Sequence, residues 1–328
     1  MKEPTYREAL RASWRLAWHH KNLWPFGLFA MLWGQFGLFE LLLKVWSVMS
    51  VRSNQTMWDW CQMFLNKDSW EQIRLLLGIG PDRFVWVLWL LVMLLGLALA
   101  LTFVATITQG ALVYAGAKFS KFRLSYPDEV KAWHVGVKHF WRVFGLNILR
   151  KFIVSWAGLL AVWAAFRLAA EPSVGWGLLL GFGFLFAITV GVIASFLLIY
   201  AVGYVVVEEY SFGESLGAAW RLFWRHPMVS LEVGGVVLFL NIGLVLFALF
   251  SVLYTFFLPI IIGSYAVVMF QLPIIGKIVG GLSYTFFLAV LMAAGAIFTI
   301  YTTTLWSYLF SKMHSTSFTS KLVRLLRR

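Results

Sequence analysis

The sequence predicts an all-α fold: a polytopic bundle of about six transmembrane helices, formed by residues 1–328 as a single integral membrane domain. Hydrophobic residues make up 61% of the chain and charged residues only 12%. Soluble domains are roughly half apolar and a quarter charged, so this chain lacks the polar residues needed to cover a surface in water. Because long apolar segments also recur with basic residues beside them, lipid is the expected solvent.

The expected spans are apolar segments of about 20 residues or more, the length that a helix needs to cross the hydrocarbon core. Six segments meet this requirement: Leu23–Leu43, Phe84–Ala111, Gly145–Ala169, Trp176–Val205, Leu231–Phe256 and Leu282–Leu309. A further apolar stretch, Leu258–Gly281, contains Pro259 and Pro273. We interpret it as an interfacial or re-entrant segment on the outer side. The alternative, a seventh span, would place the basic C-terminal tail outside.

The distribution of basic residues predicts the orientation. Most of the 27 lysines and arginines precede the first span, lie between the second and third or the fourth and fifth, or follow the sixth. The opposite loops hold fewer, and these are diluted by Asp59, Asp68, Glu71 and Asp82. Since basic loops favour the cytoplasmic side, the sequence predicts a protein of the cytoplasmic (inner) membrane with both termini in the cytoplasm.

A short motif occurs three times, at Thr5–Glu8, Ser125–Asp128 and Ser211–Glu214. Each copy has a hydroxyl residue, an aromatic residue, any residue and then a carboxylate. This spacing is typical of a capping box, in which the hydroxyl and the carboxylate bond to each other's backbone N–H at the start of a helix. Each motif precedes an odd-numbered span. The sequence therefore predicts three parallel repeats of a surface helix plus a transmembrane hairpin: residues 5–115, 125–207 and 211–310, followed by a basic tail, 311–328.

The surface helices of the first and third repeats are amphipathic and rich in tryptophan and arginine. The segment 14–18, Trp-Arg-Leu-Ala-Trp, corresponds to Trp-Arg-Leu-Phe-Trp at 220–224. Such helices lie in the headgroup layer, where aromatic rings are buried and arginines pair with lipid phosphate. A connector packed on the end of the bundle is the alternative. The residues predicted to contact headgroups are Arg7, Arg11, Trp14, Arg15, Trp18, Trp220, Arg221, Trp224 and Arg225.

These repeated motifs resemble the six-span membrane region found beside glycerophosphodiester phosphodiesterase domains in bacterial inner-membrane proteins, and uncharacterised stand-alone relatives of that region. The likeness covers nearly the whole chain. It implies a helical domain embedded in the membrane, and it carries over no activity. The sequence predicts no phosphodiesterase domain, because the spans leave neither a soluble segment of domain size nor an acidic metal-binding cluster.

Ionisable residues inside a span are the first places to look for function in a membrane protein. Asn147, Arg150 and Lys151 lie in the cytoplasmic half of the third span, and Glu232 opens the fifth. In the repeat register Asn147 and Val233 occupy equivalent positions, so Arg150 or Lys151 can face Glu232 between neighbouring hairpins. An ion pair or a headgroup contact is the favoured role of these four residues, and a transport site is the alternative.

The even-numbered spans carry many hydroxyl and amide side chains. They are Thr102, Thr106, Gln109, Ser195, Tyr200, Thr299, Thr302, Thr303 and Ser307. Together such residues can line a polar path through the membrane. We favour the alternative, in which they form hydrogen bonds between packed helices.

No pattern of residues predicts catalysis, a metal site or a cofactor. None of the six histidines has the helical pairing typical of a zinc site. The net charge of +13 lies beside the spans, which favours anionic lipid over nucleic acid. We therefore predict a non-enzymatic membrane protein that binds or organises anionic lipids, or supports a membrane-protein partner. The alternative is a transporter of small molecules or lipids with a polar path between the hairpins.

Overall fold

The computed structural model describes residues 6–33, 81–122, 128–225, 227–271 and 273–315, which form helices and short turns without any strand. Five helical segments are long and apolar enough to cross a membrane: Val85–Phe119, Phe140–Leu168, Val174–Val207, Pro227–Phe270 and Ile274–Met313. The prediction of an all-α transmembrane bundle is confirmed. Of the first predicted span, only the part up to Trp33 lies within the described residues.

Ten α-helices follow one another in this described part of the chain. In order they are α1 Tyr6–His19, α2 Trp24–Trp33, α3 Pro81–Phe122, α4 Glu129–Lys138, α5 Phe140–Ala170, α6 Val174–Val207, α7 Phe212–Arg225, α8 Pro227–Ser251, α9 Leu258–Phe270 and α10 Pro273–Ser315. A 3₁₀ turn, Lys21–Leu23, joins α1 to α2, and a π-helical segment, Val252–Phe257, joins α8 to α9.

Within the stretch Leu258–Gly281, residues 258–270 and 273–281 are helical and belong to two long helices. The helix α8 continues through the π-helical segment into α9, the chain turns at Gln271 with a φ of 54°, and α10 begins at Pro273. The stretch thus extends the two helices on either side of this turn, and its position relative to the membrane stays a prediction. Pro273 does not interrupt α10 because it lies in the first turn, where no backbone N–H is needed for an intrahelical bond. Pro259 directly follows the π-helical segment, where the regular α-helical hydrogen-bond pattern is already broken.

The buried core lies at the end of the bundle that carries α1, α4 and α7. Its buried side chains come from α3 between Ala105 and Ala117, from α6 between Ala194 and Val206, and from α10 between Leu291 and Met313. In contrast, the large apolar side chains of α3 between Val85 and Leu99 are exposed. Exposed apolar side chains over such a length are expected where lipid tails surround the helices.

Helix packing places the surface helices on this core. The helices α1 and α2 pack against α10, α4 packs against α3, and α7 packs against α6. Among the described helices, α5 and α6 pack against each other most extensively, and they form an antiparallel hairpin. Each of the helices α1 and α7 also carries exposed side chains outside this packed face.

Candidate functional site

Helix α1 buries one face of small and aliphatic residues. Ala9, Ser13, Leu16 and Ala17 are buried, and the helix packs against α10. These positions follow the spacing of a single helix face. Small side chains allow a close approach between the helix and the bundle, so α1 is attached to the core through this face.

The opposite face of α1 carries the predicted headgroup residues. Trp14 and Trp18 are 53% and 50% exposed, and their rings stack with centroids 5.7 Å apart. Arg11 and Arg15 are exposed beside them. The edge of Trp14 meets the ring of Tyr301 at a centroid distance of 6.0 Å, which holds the aromatic pair on the surface of α10. The side chain of Arg7 lies outside the described residues.

Helix α7 has the same arrangement. Trp220 and Trp224 are 49% and 62% exposed, with ring centroids 5.7 Å apart. Arg221 and Arg225 are exposed. The buried face of this helix consists of Ser215, Ala218, Ala219 and Leu222.

Burial matches between the two helices at most of the equivalent positions. Ser13 and Leu16 of α1 are buried, as are their counterparts Ala219 and Leu222 of α7. The aromatic positions 14 and 220, and 18 and 224, are exposed in both helices. Each helix is thus a connector packed on the bundle, as the alternative interpretation holds, and it also presents tryptophan and arginine outward.

The start of α7 is a complete capping box. The backbone N–H of Ser211 donates to Glu214 Oε2 over 3.0 Å, and the N–H of Glu214 donates to Ser211 Oγ over 3.4 Å. The Ser211 hydroxyl also donates to Glu214 Oε2 over 2.7 Å. These bonds, with the nearby charge of Arg142, hold the pKa of Glu214 below its ordinary value. The predicted capping box is confirmed here.

The start of α4 differs from the prediction. Asp128 itself occupies the N-cap, and its Oδ1 accepts from the N–H of Lys131 over 3.2 Å. Aspartate caps a helix as well as serine does, so a carboxylate at the end of the motif can take over the role of the hydroxyl. Thr5 and Ser125, the expected caps of the first two copies, lie outside the described residues.

The turn between α6 and α7 is held by the corner between α4 and α5. Lys138 Nζ lies 2.6 Å from Glu209 Oε1, and Arg142 donates to the carbonyl oxygens of Glu209 and Tyr210 over 3.2 and 3.1 Å. The hydrogen bond and the charge of Lys138 lower the pKa of Glu209. The sequence alone does not reveal this contact, because the two partners of each bond are 67 to 71 residues apart in the chain.

Between these two basic residues lies His139, which is buried. Neither of its ring nitrogens has a hydrogen-bond partner among the described residues. Burial lowers the pKa of the imidazole, and the charges of Lys138 and Arg142 lower it further. The neutral ring therefore acts as a packing element at this corner near neutral pH.

The four residues of the predicted intramembrane polar site have different environments. Asn147 and Arg150 are buried on one face of α5, whereas Lys151 is exposed. Glu232 is partly buried in the second turn of α8. The amide of Asn147 donates to Gln109 Oε1 over 2.8 Å, which joins α5 to α3. The predicted contact of Arg150 or Lys151 with Glu232 stays a prediction.

A cavity of about 80 Å³ lies among α2, α3, α6, α8 and α10 and opens to the surface of the bundle. Its polar lining comes from Gln109 of α3 and from Thr299, Thr302, Thr303 and Ser307 of α10. Its apolar lining includes Phe298, Trp306, Phe310, Ile199, Val202 and Val237. None of the four residues of the predicted polar site is among the described residues that line it.

The hydroxyl residues of the even-numbered spans thus divide into two groups. Thr106 donates to the carbonyl of Thr102 over 2.8 Å, and the hydroxyls of Tyr200 and Ser230 bond across α6 and α8 over 2.6 Å. The Tyr200–Ser230 bond is the predicted hydrogen bond between packed helices. The group on α10 instead lines the cavity, and the spacing of Thr299 and Thr303 in the sequence indicates only that they share a helix face.

Within the described residues, no group of three His, Cys, Asp or Glu side chains lies close enough to hold a metal ion. Comparison with protein-family models, curated proteins and solved structures finds no match to this chain. The resemblance to the membrane region of the phosphodiesterase proteins therefore stays a prediction. Function has to be argued from the geometry of the sites.

Proposed function

We propose that this protein is a non-enzymatic component of the cytoplasmic (inner) membrane that binds and organises anionic lipids through α1 and α7. The observation that carries the proposal is the pair of matched surfaces, each with two exposed tryptophans and two exposed arginines on a helix whose other face is buried. Tryptophan prefers the interface because its ring is apolar and its N–H is polar. Arginine binds phosphate through a planar set of donors.

The energies are sufficient for lipid binding without a closed pocket. A basic residue near an anionic membrane surface contributes about 1 kcal/mol. Two exposed arginines on each helix therefore contribute roughly 2 kcal/mol per helix, or about a thirtyfold increase in lipid affinity. Partial burial of the tryptophan rings adds to this, and salt weakens the charged part.

The proposal includes the orientation of the protein, with the surface helices and both termini on the cytoplasmic side of the membrane. Lys131, Lys138 and Arg142 lie in α4 and α5, at the end of the bundle where α1 and α7 also lie. A basic end of this kind supports a cytoplasmic position for these helices and for both termini. The shared burial pattern of α1 and α7 also supports their interpretation as equivalent helices of a repeated unit.

Native mass spectrometry of the full chain in a mild detergent tests the proposal. Wild-type protein should retain anionic lipid at a defined stoichiometry. The combined variant Arg11→Gln, Arg15→Gln, Arg221→Gln and Arg225→Gln should retain far less, because both surfaces lose their charge. Lys277→Gln, an exposed basic residue of α10 far from these helices in sequence, is the matched control and should leave the lipid count unchanged.

An unchanged lipid count in the arginine variant would contradict lipid binding at these helices. A protein that remains bound instead of lipid, and is lost in the same variant, would favour support of a membrane-protein partner. Neutral lipid retained in the same amount as anionic lipid would show that charge does not select the bound molecule.

A further inference from the structure

The cavity among α2, α3, α6, α8 and α10 is a second site, separate from the proposed lipid-contact helices. We propose that it binds the uncharged polar end of a single-chain amphiphile from the membrane, of the class of a long-chain alcohol. The hydroxyl of the ligand would lie against Thr299, Thr303 and Gln109, and its tail would leave the cavity along the apolar surface of the spans.

The cavity contains hydrogen-bonding groups that are available to a ligand. Most hydroxyls in the spans bond to their own helix, as Thr302 does to Phe298 O over 2.9 Å and Ser307 does to Thr303 O over 2.8 Å. The hydroxyls of Thr299 and Thr303 make no hydrogen bond with any described residue. They lie four residues apart, so both face the cavity from one side of α10.

Gln109 provides a third group on the opposite wall. Its Oε1 accepts from Asn147 over 2.8 Å, which fixes the orientation of the amide and leaves its Nε2 without an acceptor among the described residues. An unsatisfied polar group in a low-dielectric interior is costly. The cavity thus presents one amide donor and two hydroxyls, which together suit a ligand oxygen that both donates and accepts.

The lining of the cavity also favours an uncharged ligand. The described lining contains no charged side chain. The ionisable residues Arg150, Lys151 and Glu232 are not part of it. Moving an ion into such a site without a counter-charge costs more free energy than a few neutral hydrogen bonds return. The ligand is therefore uncharged, in contrast to the anionic lipids proposed for α1 and α7.

The size of the cavity and its apolar walls fit one end of a chain-like ligand. A cavity of about 150 Å³ holds benzene, which has six heavy atoms, so 80 Å³ has room for about three. Those atoms are the hydroxyl and the first carbons of a chain. Phe298, Trp306 and Phe310 surround them with aromatic surface, which favours an alkyl group over a fully polar solute.

A photo-crosslinking experiment on the full chain in phosphatidylcholine nanodiscs tests this proposal. The probe is a long-chain alcohol with a diazirine next to its hydroxyl, and labelled residues are located by peptide mass spectrometry. Label is expected in the α3 and α10 residues that line the cavity. Excess unlabelled alcohol should compete, whereas the fatty acid of the same chain length and a short alcohol without the tail should not.

The variant Thr299→Val with Thr303→Val removes both hydroxyls at constant shape. Labelling at subsaturating probe should fall at least about fivefold, since two hydrogen bonds are lost. Thr299→Ser with Thr303→Ser keeps the hydroxyls and should restore it. Thr285→Val is the matched control, because this exposed threonine of the same helix bonds to its own backbone outside the cavity.

Unchanged labelling in the valine variant, or label spread evenly over the exposed faces of α3 and α9, would overturn the proposal. Equal competition by the fatty acid would overturn the uncharged ligand, and competition by the short alcohol alone would overturn the need for a tail. Because none of these substitutions changes α1 or α7, the outcome is independent of the test of anionic lipid binding.

Discussion

Gly136 determines how closely α4 approaches α3. A side-chain carbon added at this position would collide with the backbone oxygen of Ile107, and Gly110 of α3 lies against the Cα of Gly136. A backbone oxygen in a helix cannot move aside as a flexible side chain can. Gly217 in α7 is the opposite case, because nothing lies within 4 Å of the added carbon.

We predict opposite effects for alanine at these two glycines. Gly136→Ala should lower the free energy of unfolding by about 1–3 kcal/mol, the usual range for overpacking. Gly217→Ala should raise it by about 0.5–1 kcal/mol, because alanine is the better helix former. Thermal unfolding midpoints of both variants in one detergent check this. Equal midpoints, or a stabilised Gly136→Ala, would contradict the close crossing of α3 and α4.

Single residues also show what periodicity can predict. The exposed positions of Trp14, Trp18, Trp220 and Trp224 follow from the helical spacing, which places them on one side of each helix. The role of Thr299 and Thr303 does not follow from spacing. Periodicity shows which residues share a face, but whether that face meets another helix or a cavity depends on how α3 and α10 cross.

At the scale of the element, α7 illustrates how a local sequence specifies a helix start. Ser211 and Glu214 satisfy each other's backbone N–H groups, and the carboxylate lies at the positive end of the helix dipole. The same spacing at Ser125–Asp128 gave a less accurate prediction, because Asp128 is itself a good cap. Likewise, the two prolines of the stretch 258–281 do not end a helix, because Pro273 begins α10 and Pro259 follows the π-helical segment that joins α8 to α9.

Ser211→Ala should shift the thermal unfolding midpoint down at neutral pH, at a cost of about 1 kcal/mol for the lost cap. Ser264→Ala is the control, since Ser264 bonds to Ile260 within α9 and caps no helix. A shift no larger than that of the control would contradict the capping role of Ser211.

The effect of Ser211→Ala should also depend on pH. The bonds to Ser211 lower the pKa of Glu214 in the folded state. The resulting stabilisation is therefore present above the ordinary glutamate pKa, about 4.3, and is lost as the pH falls through the lowered value. The difference between wild type and variant should be constant from pH 7 to 6 and shrink below about pH 4.

At the scale of the whole molecule, hydropathy and charge predicted the class of fold, because long apolar segments and basic loops can be recognised directly in the sequence. They did not predict that Pro227–Phe270 and Ile274–Met313 would be continuous helices of 44 and 40 residues. Contacts between distant segments, such as Lys138 with Glu209, could not be predicted either. Such contacts depend on helix packing, which a single sequence does not reveal.

The proposed orientation is tested by single cysteines in a Cys61→Ser background. Gln271→Cys, at the turn between α9 and α10, should react with a membrane-impermeant maleimide in right-side-out vesicles. Gly213→Cys, in the first turn of α7, should react only after permeabilisation. The reverse pattern would place α1 and α7 on the outer side and would contradict lipid binding at the cytoplasmic face.

The great length of the last two spanning helices has a consequence for the bilayer itself. A helix of 44 residues measures about 66 Å, whereas the hydrocarbon core is about 30 Å thick. A tilt of about 40° still leaves a rise of roughly 50 Å. Because of this hydrophobic mismatch, the acyl-chain length of the surrounding lipids determines how much of the apolar helix surface the bilayer covers. The protein should therefore partition into the thicker regions of a membrane, where longer acyl chains cover more of its apolar surface.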